Sequence, residues 1–138
     1  MTGFVLDASL ALTWCFKDEA TPTRLALLQR LGSEHAAVPA IWPLEVANIL
    51  ASAERRKRID PAGIGEFLAL VESLDIRVDG DTADRGLREI LDLARREGLT
   101  SYDAAYLDLA ICEGLPLATG DRALAQAAER CGVTVLPG

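Results

Sequence analysis

A short apolar run that ends on a carboxylate constrains this chain more than any other feature. Gly3-Phe4-Val5-Leu6 is uninterrupted, and Asp7 closes it. A run of that length bounded by polar residues reads as a buried strand of a parallel sheet, covered on both faces. Asp7 then stands at the carboxyl end of the first strand, the edge at which open α/β sheets bind ligands. What the rest of the chain brings to meet Asp7 becomes the question.

Helical and extended patterns alternate from there. Leu10 to Phe16 reads as a short helix, and Thr21-Pro22 opens a second with Leu25, Leu28 and Leu31 as its apolar rows. Ala36 to Pro39 offers a second strand. Pro43 begins a helix running to Lys57, with Val46, Ile49, Leu50 and Ala53 on one stripe and Glu45, Asn48 and Ser52 on another. Asp60-Pro61 caps the next, where Ile64, Phe67, Leu68, Val71 and Leu74 recur at helical spacing. Asp75 to Val78 offers a third strand, Leu87 to Arg96 a helix ended by Gly98, and Thr100 to Glu113 another. Leu115 to Thr119 reads as a fourth strand, Asp121 to Arg130 as the last helix, and Val133 to Leu136 as a closing strand. Strands separated by helices predict a parallel sheet of about five strands in a three-layer α/β/α fold, with residues 1–138 forming one domain.

Composition narrows the chemistry. The longest apolar runs are cut by Asp7, Glu45, Asp108 and Glu113, well short of the ~18 residues a membrane helix needs. The N-terminus lacks the basic flank of a signal peptide, so a soluble cytoplasmic protein is expected. Cys15, Cys112 and Cys131 have no metal-type spacing and read as small buried hydrophobes. The lone His35, beside Ser33 and Glu34, reads as a solvated loop residue, which leaves catalysis to carboxylates. A net charge of −7 argues against broad nucleic-acid binding, unless an ion offsets acids gathered at one site.

Four carboxylates fall at element boundaries. Asp7 ends a strand, Glu45 and Asp103 lie in first helical turns, and Asp121 lies where the fourth strand gives way to a helix. Singly, each has an ordinary structural explanation: Asp7 and Asp121 as N-caps, Asp103 in a capping-box variant with Thr100, Glu45 as a helix-dipole partner. In a parallel sheet, however, strand carboxyl ends and helix N-termini share one edge. Two carboxylates ~5 Å apart repel by roughly 3 kcal/mol at an effective dielectric near 20, and a divalent cation removes that cost. Oxygen donors without His or Cys suit Mg²⁺ or Mn²⁺, an arrangement able to assist phosphodiester hydrolysis. Ser9, Asn48 and Thr119 stand close enough in sequence to support the acids. Asp108, five residues after Asp103, points elsewhere on its helix and is expected to be solvated or a surface partner.

Val5-Leu6-Asp7-Ala8-Ser9, Pro43-Leu44-Glu45-Val46-Ala47-Asn48, Ser101-Tyr102-Asp103-Ala104-Ala105-Tyr106-Leu107 and Ala118-Thr119-Gly120-Asp121 together resemble the four motif blocks of the PIN-domain ribonucleases. Within that superfamily the chain is similar to the VapC toxins of VapBC toxin–antitoxin pairs. The resemblance implies a sheet in the order 3-2-1-4-5 and Mg²⁺- or Mn²⁺-dependent cleavage of RNA. It implies Asp7, Glu45, Asp103 and Asp121 as the metal-binding and catalytic acids, with Thr119 and Ser9 in support. It also implies a homodimer and a small VapB-type antitoxin that occupies the site.

The RNA side is marked less clearly. Arg55-Arg56-Lys57-Arg58 either complements a helix C-terminus or meets phosphates. Arg85, Arg88, Arg95 and Arg96 form a second basic group, and Trp14 and Trp42 read as core or interface rather than stacking platforms. A catalytically silent PIN-like module that binds RNA or protein is the alternative to an endoribonuclease toxin.

Overall fold

The computed structural model describes residues 2–138. Five parallel strands form one sheet in the order β3-β2-β1-β4-β5: β1 Gly3–Leu6, β2 His35–Val38, β3 Ile76–Val78, β4 Leu117–Ala118 and β5 Val135–Leu136. The three-layer class and the strand order are as the sequence and the resemblance led us to expect. β1 lies at the centre, buried along its whole length. It pairs Val5 with Leu117 and Leu6 with Ala118 on one side, and Phe4 with Ala36 on the other. That register sets Asp7 beside the end of β4, where its N–H donates to the Ala118 carbonyl at 3.0 Å.

Helices cover the sheet: α1 Ala8–Leu12, α2 Pro22–Arg30, α3 Trp42–Arg55, α4 Pro61–Glu72, α5 Thr82–Arg85, α6 Leu91–Glu97, α7 Ser101–Glu113 and α8 Arg122–Arg130. Phe4, Leu6, Leu10, Leu107, Leu117 and Leu124 anchor the core between these layers. α7 runs through the interior, with every residue from Ala104 to Ala110 buried. None of the helices among the described residues is long and apolar enough to cross a membrane.

Several expectations need correction. α1 starts at Ala8 rather than Leu10, because Asp7 itself caps it by accepting the Ser9 N–H. It stops at Leu12, where Thr13, Trp14 and Cys15 switch to tighter bonds onto the carbonyls three residues back. The helix expected from Leu87 is the end of a longer helical segment that begins at Thr82 and passes through a π-type turn at Gly86–Ile90 before α6. His35 is not in a loop: it opens β2 opposite Gly3, half-buried, and a Cβ on Gly3 would come within 2.7 Å of the His35 carbonyl oxygen. None of the cysteines is fully buried, and Cys112 is exposed.

Asp108 is the largest departure. It is buried, and its carboxylate accepts from Arg85 Nε at 2.7 Å, while Arg85 Nη2 reaches Asp79 at 2.6 Å. Arg85 therefore belongs to an internal ion-pair cluster that ties the end of β3 to α7, rather than to a free basic surface. Burial pushes the Asp79 carboxyl up, but the Asp81 N–H, Arg85 and the Thr82 hydroxyl outweigh it and hold it below its usual range. The same Thr82 hydroxyl accepts from the Ala40 N–H at 3.0 Å, fixing the loop that enters α3.

Candidate active site

All four boundary acids reach the carboxyl edge of the sheet, each by a different local route. Asp7 follows β1 directly and caps α1. Glu45 sits in the first turn of α3, which Pro43 pre-organises near its start. Asp103 sits in the first turn of α7, whose cap Thr100 accepts the Asp103 N–H at 3.1 Å. Asp121 follows β4 and caps α8 through the Leu124 N–H at 2.9 Å. The capping roles suggested by sequence are real for Asp7, Asp121 and Thr100, and they coexist with a shared edge.

Asp7 is the most enclosed of the four. The Thr119 hydroxyl donates to Asp7 Oδ2 at 2.7 Å and accepts the Asp121 N–H at 3.0 Å, so one threonine joins two of the acids across the β1–β4 pair. The Ser9 N–H donates to the other Asp7 oxygen at 3.3 Å. Burial pushes the Asp7 carboxyl above its usual range against the pull of Thr119 and Ser9, and Asp121 adds to the rise. Glu45 is raised by burial, opposed by the Tyr106 hydroxyl, and raised further by Asp7 and Asp103. Asp103 is raised by burial and then by Asp121 and Asp7, with Thr100 opposing. The acids thus feel one another's charge, and none of them is ion-paired to a lysine or arginine among the described residues.

Among the described residues no three His, Cys, Asp or Glu side chains are gathered tightly enough to hold an ion as they stand. The oxygens are held instead by protein donors: Thr119 and Ser9 on Asp7, Leu124 on Asp121, Tyr106 on Glu45. The donor set nonetheless suits a hard divalent cation. Every donor is an oxygen, no basic side chain among the described residues is paired with the group, and Mg²⁺ typically keeps several waters and takes only one or two carboxylates.

The other expected residues divide. Thr119 is buried between two acids, and Ser9 supports Asp7. Asn48 is exposed and makes no hydrogen bond to any of the four. Arg55, Arg56, Lys57 and Arg58 lie at the opposite end of α3, about 15 Å along the axis from Glu45 at 1.5 Å per residue. Arg58 turns back to Asp18 and Glu19 and stacks 4.3 Å over Phe16. Trp42 is a core residue, and Trp14, half-buried, donates to the Arg24 carbonyl at 2.8 Å.

One member of the site escaped the sequence reading. Tyr106 is fully buried, and its hydroxyl donates to Glu45 Oε1 at 2.6 Å while lying 3.4 Å from the Ala8 N–H. The available signal was its place one turn after Asp103, together with the need of a buried tyrosine for a partner.

With this geometry in hand, similarity to known proteins is informative. The family model of the PIN domain matches residues 4–130. No curated protein matches the sequence. Among solved structures, the chain is similar to PAE2754 from Pyrobaculum aerophilum at 24% identity and a TM-score of 0.67, over 97% of this chain and 90% of that one. It is similar to VapBC2 from Rickettsia felis, solved bound to a DNA fragment from their promoter, at 14% identity and a TM-score of 0.69, over 97% of both chains. It is also similar to FitAcB from Neisseria gonorrhoeae at 18% identity and a TM-score of 0.63, over 97% of this chain and 96% of that one. At these identities the likeness speaks to the fold.

Proposed function

The chain belongs to the PIN-domain family, whose members are generally nucleases, and from that premise we propose that it is a metal-dependent endoribonuclease of toxin type. The observation that carries this reading is that Asp7, Glu45, Asp103 and Asp121 share one sheet edge with no lysine or arginine paired to them among the described residues, three of them pushed up by burial and by neighbouring carboxylates. Asp7, Asp103, Asp121 and Glu45 would hold Mg²⁺ or Mn²⁺, one or two of them directly and the others through its bound waters. When bound, that ion would polarise the scissile phosphate and make water more acidic.

The protein's own part is orientation and proton handling. Thr119 and Ser9 fix Asp7, and Thr119 sets the start of the Asp121 turn. Glu45 or Asp103, whichever carboxylate oxygen the ion leaves free, would serve as the general base that takes a proton from the attacking water. The water oxygen bonds to phosphorus as the bond to the leaving oxygen breaks. The leaving oxygen takes a proton from solvent water, so one strand ends in a phosphate monoester and the other in a hydroxyl.

A VapB-type antitoxin and a second copy of the chain are the proposed partners, and the cytoplasm the proposed location. The structural neighbours named VapBC2 and FitAcB support the antitoxin. Leu44 and Leu87, 73% and 87% exposed, provide apolar surface for a partner. Arg55, Arg56 and Lys57 are exposed and are candidates for phosphate contact away from the four acids.

The test is incubation of total RNA with the purified protein, with and without Mg²⁺ or Mn²⁺, beside an identically prepared Asp7→Asn variant. Discrete metal-dependent fragments, absent from the variant, are expected. Intact RNA under every metal, once bound antitoxin has been removed, would replace the nuclease with a silent binding module.

A further inference from the structure

We propose that Tyr106 is a positioning residue that aims Glu45 at the cation through its hydroxyl, an inference that rests on the proposed role of Glu45. Three observations converge on it. Tyr106 is 0% exposed, so its phenol is withdrawn from water and its hydroxyl must be satisfied inside the protein. That hydroxyl donates to Glu45 Oε1 at 2.6 Å, the length of a charge-assisted bond. It also stands 3.4 Å from the N–H of Ala8, the residue after Asp7, as acceptor.

One oxygen atom therefore links three acid-bearing elements: the β1–α1 turn of Asp7, the first turn of α3 with Glu45, and α7, on which Tyr106 follows Asp103 by a single turn. Phenylalanine would fill the same space, so what tyrosine adds here is the hydroxyl. Donating and accepting at once, it is polarised by both contacts.

Glu45 depends on this contact. The N-cap of α3, Ile41, offers no side-chain bond, and Tyr106 is the hydrogen-bond partner that the Glu45 carboxylate has among the described residues. With Oε1 held, Oε2 has no donor among the described residues, which leaves it for the cation. The phenol is the donor of this bond, its O–H directed at Glu45 Oε1. It aligns the carboxylate without adding a competing charge.

The experiment is a double-mutant cycle read by Mn²⁺ binding in a calorimeter, using wild type, Tyr106→Phe, Glu45→Gln and the double variant. Each is first shown to be folded by its melting curve. Tyr106→Phe is expected to bind Mn²⁺ about 10-fold more weakly, the usual loss when a group holding a metal ligand is removed. The double variant is expected to be no weaker than Glu45→Gln alone, because the tyrosine acts through the glutamate. RNA cleavage should fall in kcat with KM little changed.

Wild-type Mn²⁺ affinity in Tyr106→Phe beside a weakened Glu45→Gln overturns the proposal alone. Losses that add in the double variant overturn it too, since a merely structural tyrosine would behave so. Wild-type affinity in Glu45→Gln overturns the assignment of Glu45, and the proposal falls with it.

Discussion

Two aspartates five residues apart on α7 are expected to respond to the same substitution in opposite ways. Asp108 has a side chain only 6% exposed and accepts from Arg85 Nε at 2.7 Å, in a cluster whose arginine is itself 19% exposed. Asp108→Asn keeps the shape but removes the charge, leaving a half-buried guanidinium with Asp79 as its one remaining carboxylate. Breaking a buried pair by removing one partner costs about 3–5 kcal/mol, and the surviving Asp79 contact at 2.6 Å puts the expected loss near the lower end, about 3 kcal/mol. For a chain of this length that is a fall in melting temperature of about 10 °C.

Asp103→Asn removes a charge that has no counter-ion and is opposed by burial, Asp121 and Asp7. The capping bond is spared, because it runs from the Asp103 backbone N–H to the Thr100 hydroxyl. The metal-free variant is therefore expected to melt at or above the wild-type temperature. The assay is thermal and urea unfolding of both variants by circular dichroism at pH 7 in chelator. A drop for Asp103→Asn as large as that for Asp108→Asn would refute the reasoning, since Asp103 would then be a structural residue of the helix start and nothing more.

Acid titration provides a second check. The raised carboxyls of Asp7, Glu45 and Asp103 bind protons in the native state before the unfolded chain does, so stability is gained as pH falls through their raised values. The lowered carboxyls of Asp79, Glu34 and Asp75 act oppositely, and stability is lost as pH falls through theirs. The metal-free melting temperature should therefore rise on mild acidification and fall on strong acidification, whereas in saturating Mn²⁺ it should only fall, because protons displace the ion. Thr119→Val removes a donor to Asp7 and an acceptor for the Asp121 N–H; it should cost about 1–2 kcal/mol in a urea titration and weaken Mn²⁺ binding about 10-fold. Alanine at Arg55, Arg56 or Lys57 should lower the salt slope of RNA binding by about one where the residue meets a phosphate. Arg58→Ala should leave that slope unchanged and cost at most about 1 kcal/mol of stability, through its lost pairs with Asp18 and Glu19 and its stacking on Phe16.

The parts of the fold legible in the sequence are those where one local rule and the global topology agree. β1 is apolar throughout because both its faces are covered, and Asp7 breaks that run at the carboxyl edge of the sheet. Asp103 and Asp121 were readable for a related reason: each lies in a helix start that obeys ordinary capping chemistry. Legibility failed where a residue's partner is distant. Asp108 could not be told from a solvated acid because Arg85 lies 23 residues away, and because a helix buried all round carries no one-sided stripe to place it on.

Tyr106 was hidden by the same feature: on an interior helix an aromatic residue is accounted for by packing, and its bond to Glu45 spans 61 positions. His35 was misplaced because Ser33-Glu34-His35 has loop-like polarity, while the fit that makes it a strand depends on Gly3, a residue without a side chain on the neighbouring strand. Thr82–Arg85 went unseen since its anchors, Ala40 and Asp108, belong to other elements.

The most direct test of the acidic edge is calorimetric titration of Mn²⁺ into the wild-type protein and into Asp7→Asn and Asp103→Asn. If these carboxylates form a cation site, the wild type binds Mn²⁺ and both variants bind it much more weakly while remaining folded. Equal binding by all three proteins, or none by the wild type, would contradict a metal-dependent mechanism at this edge.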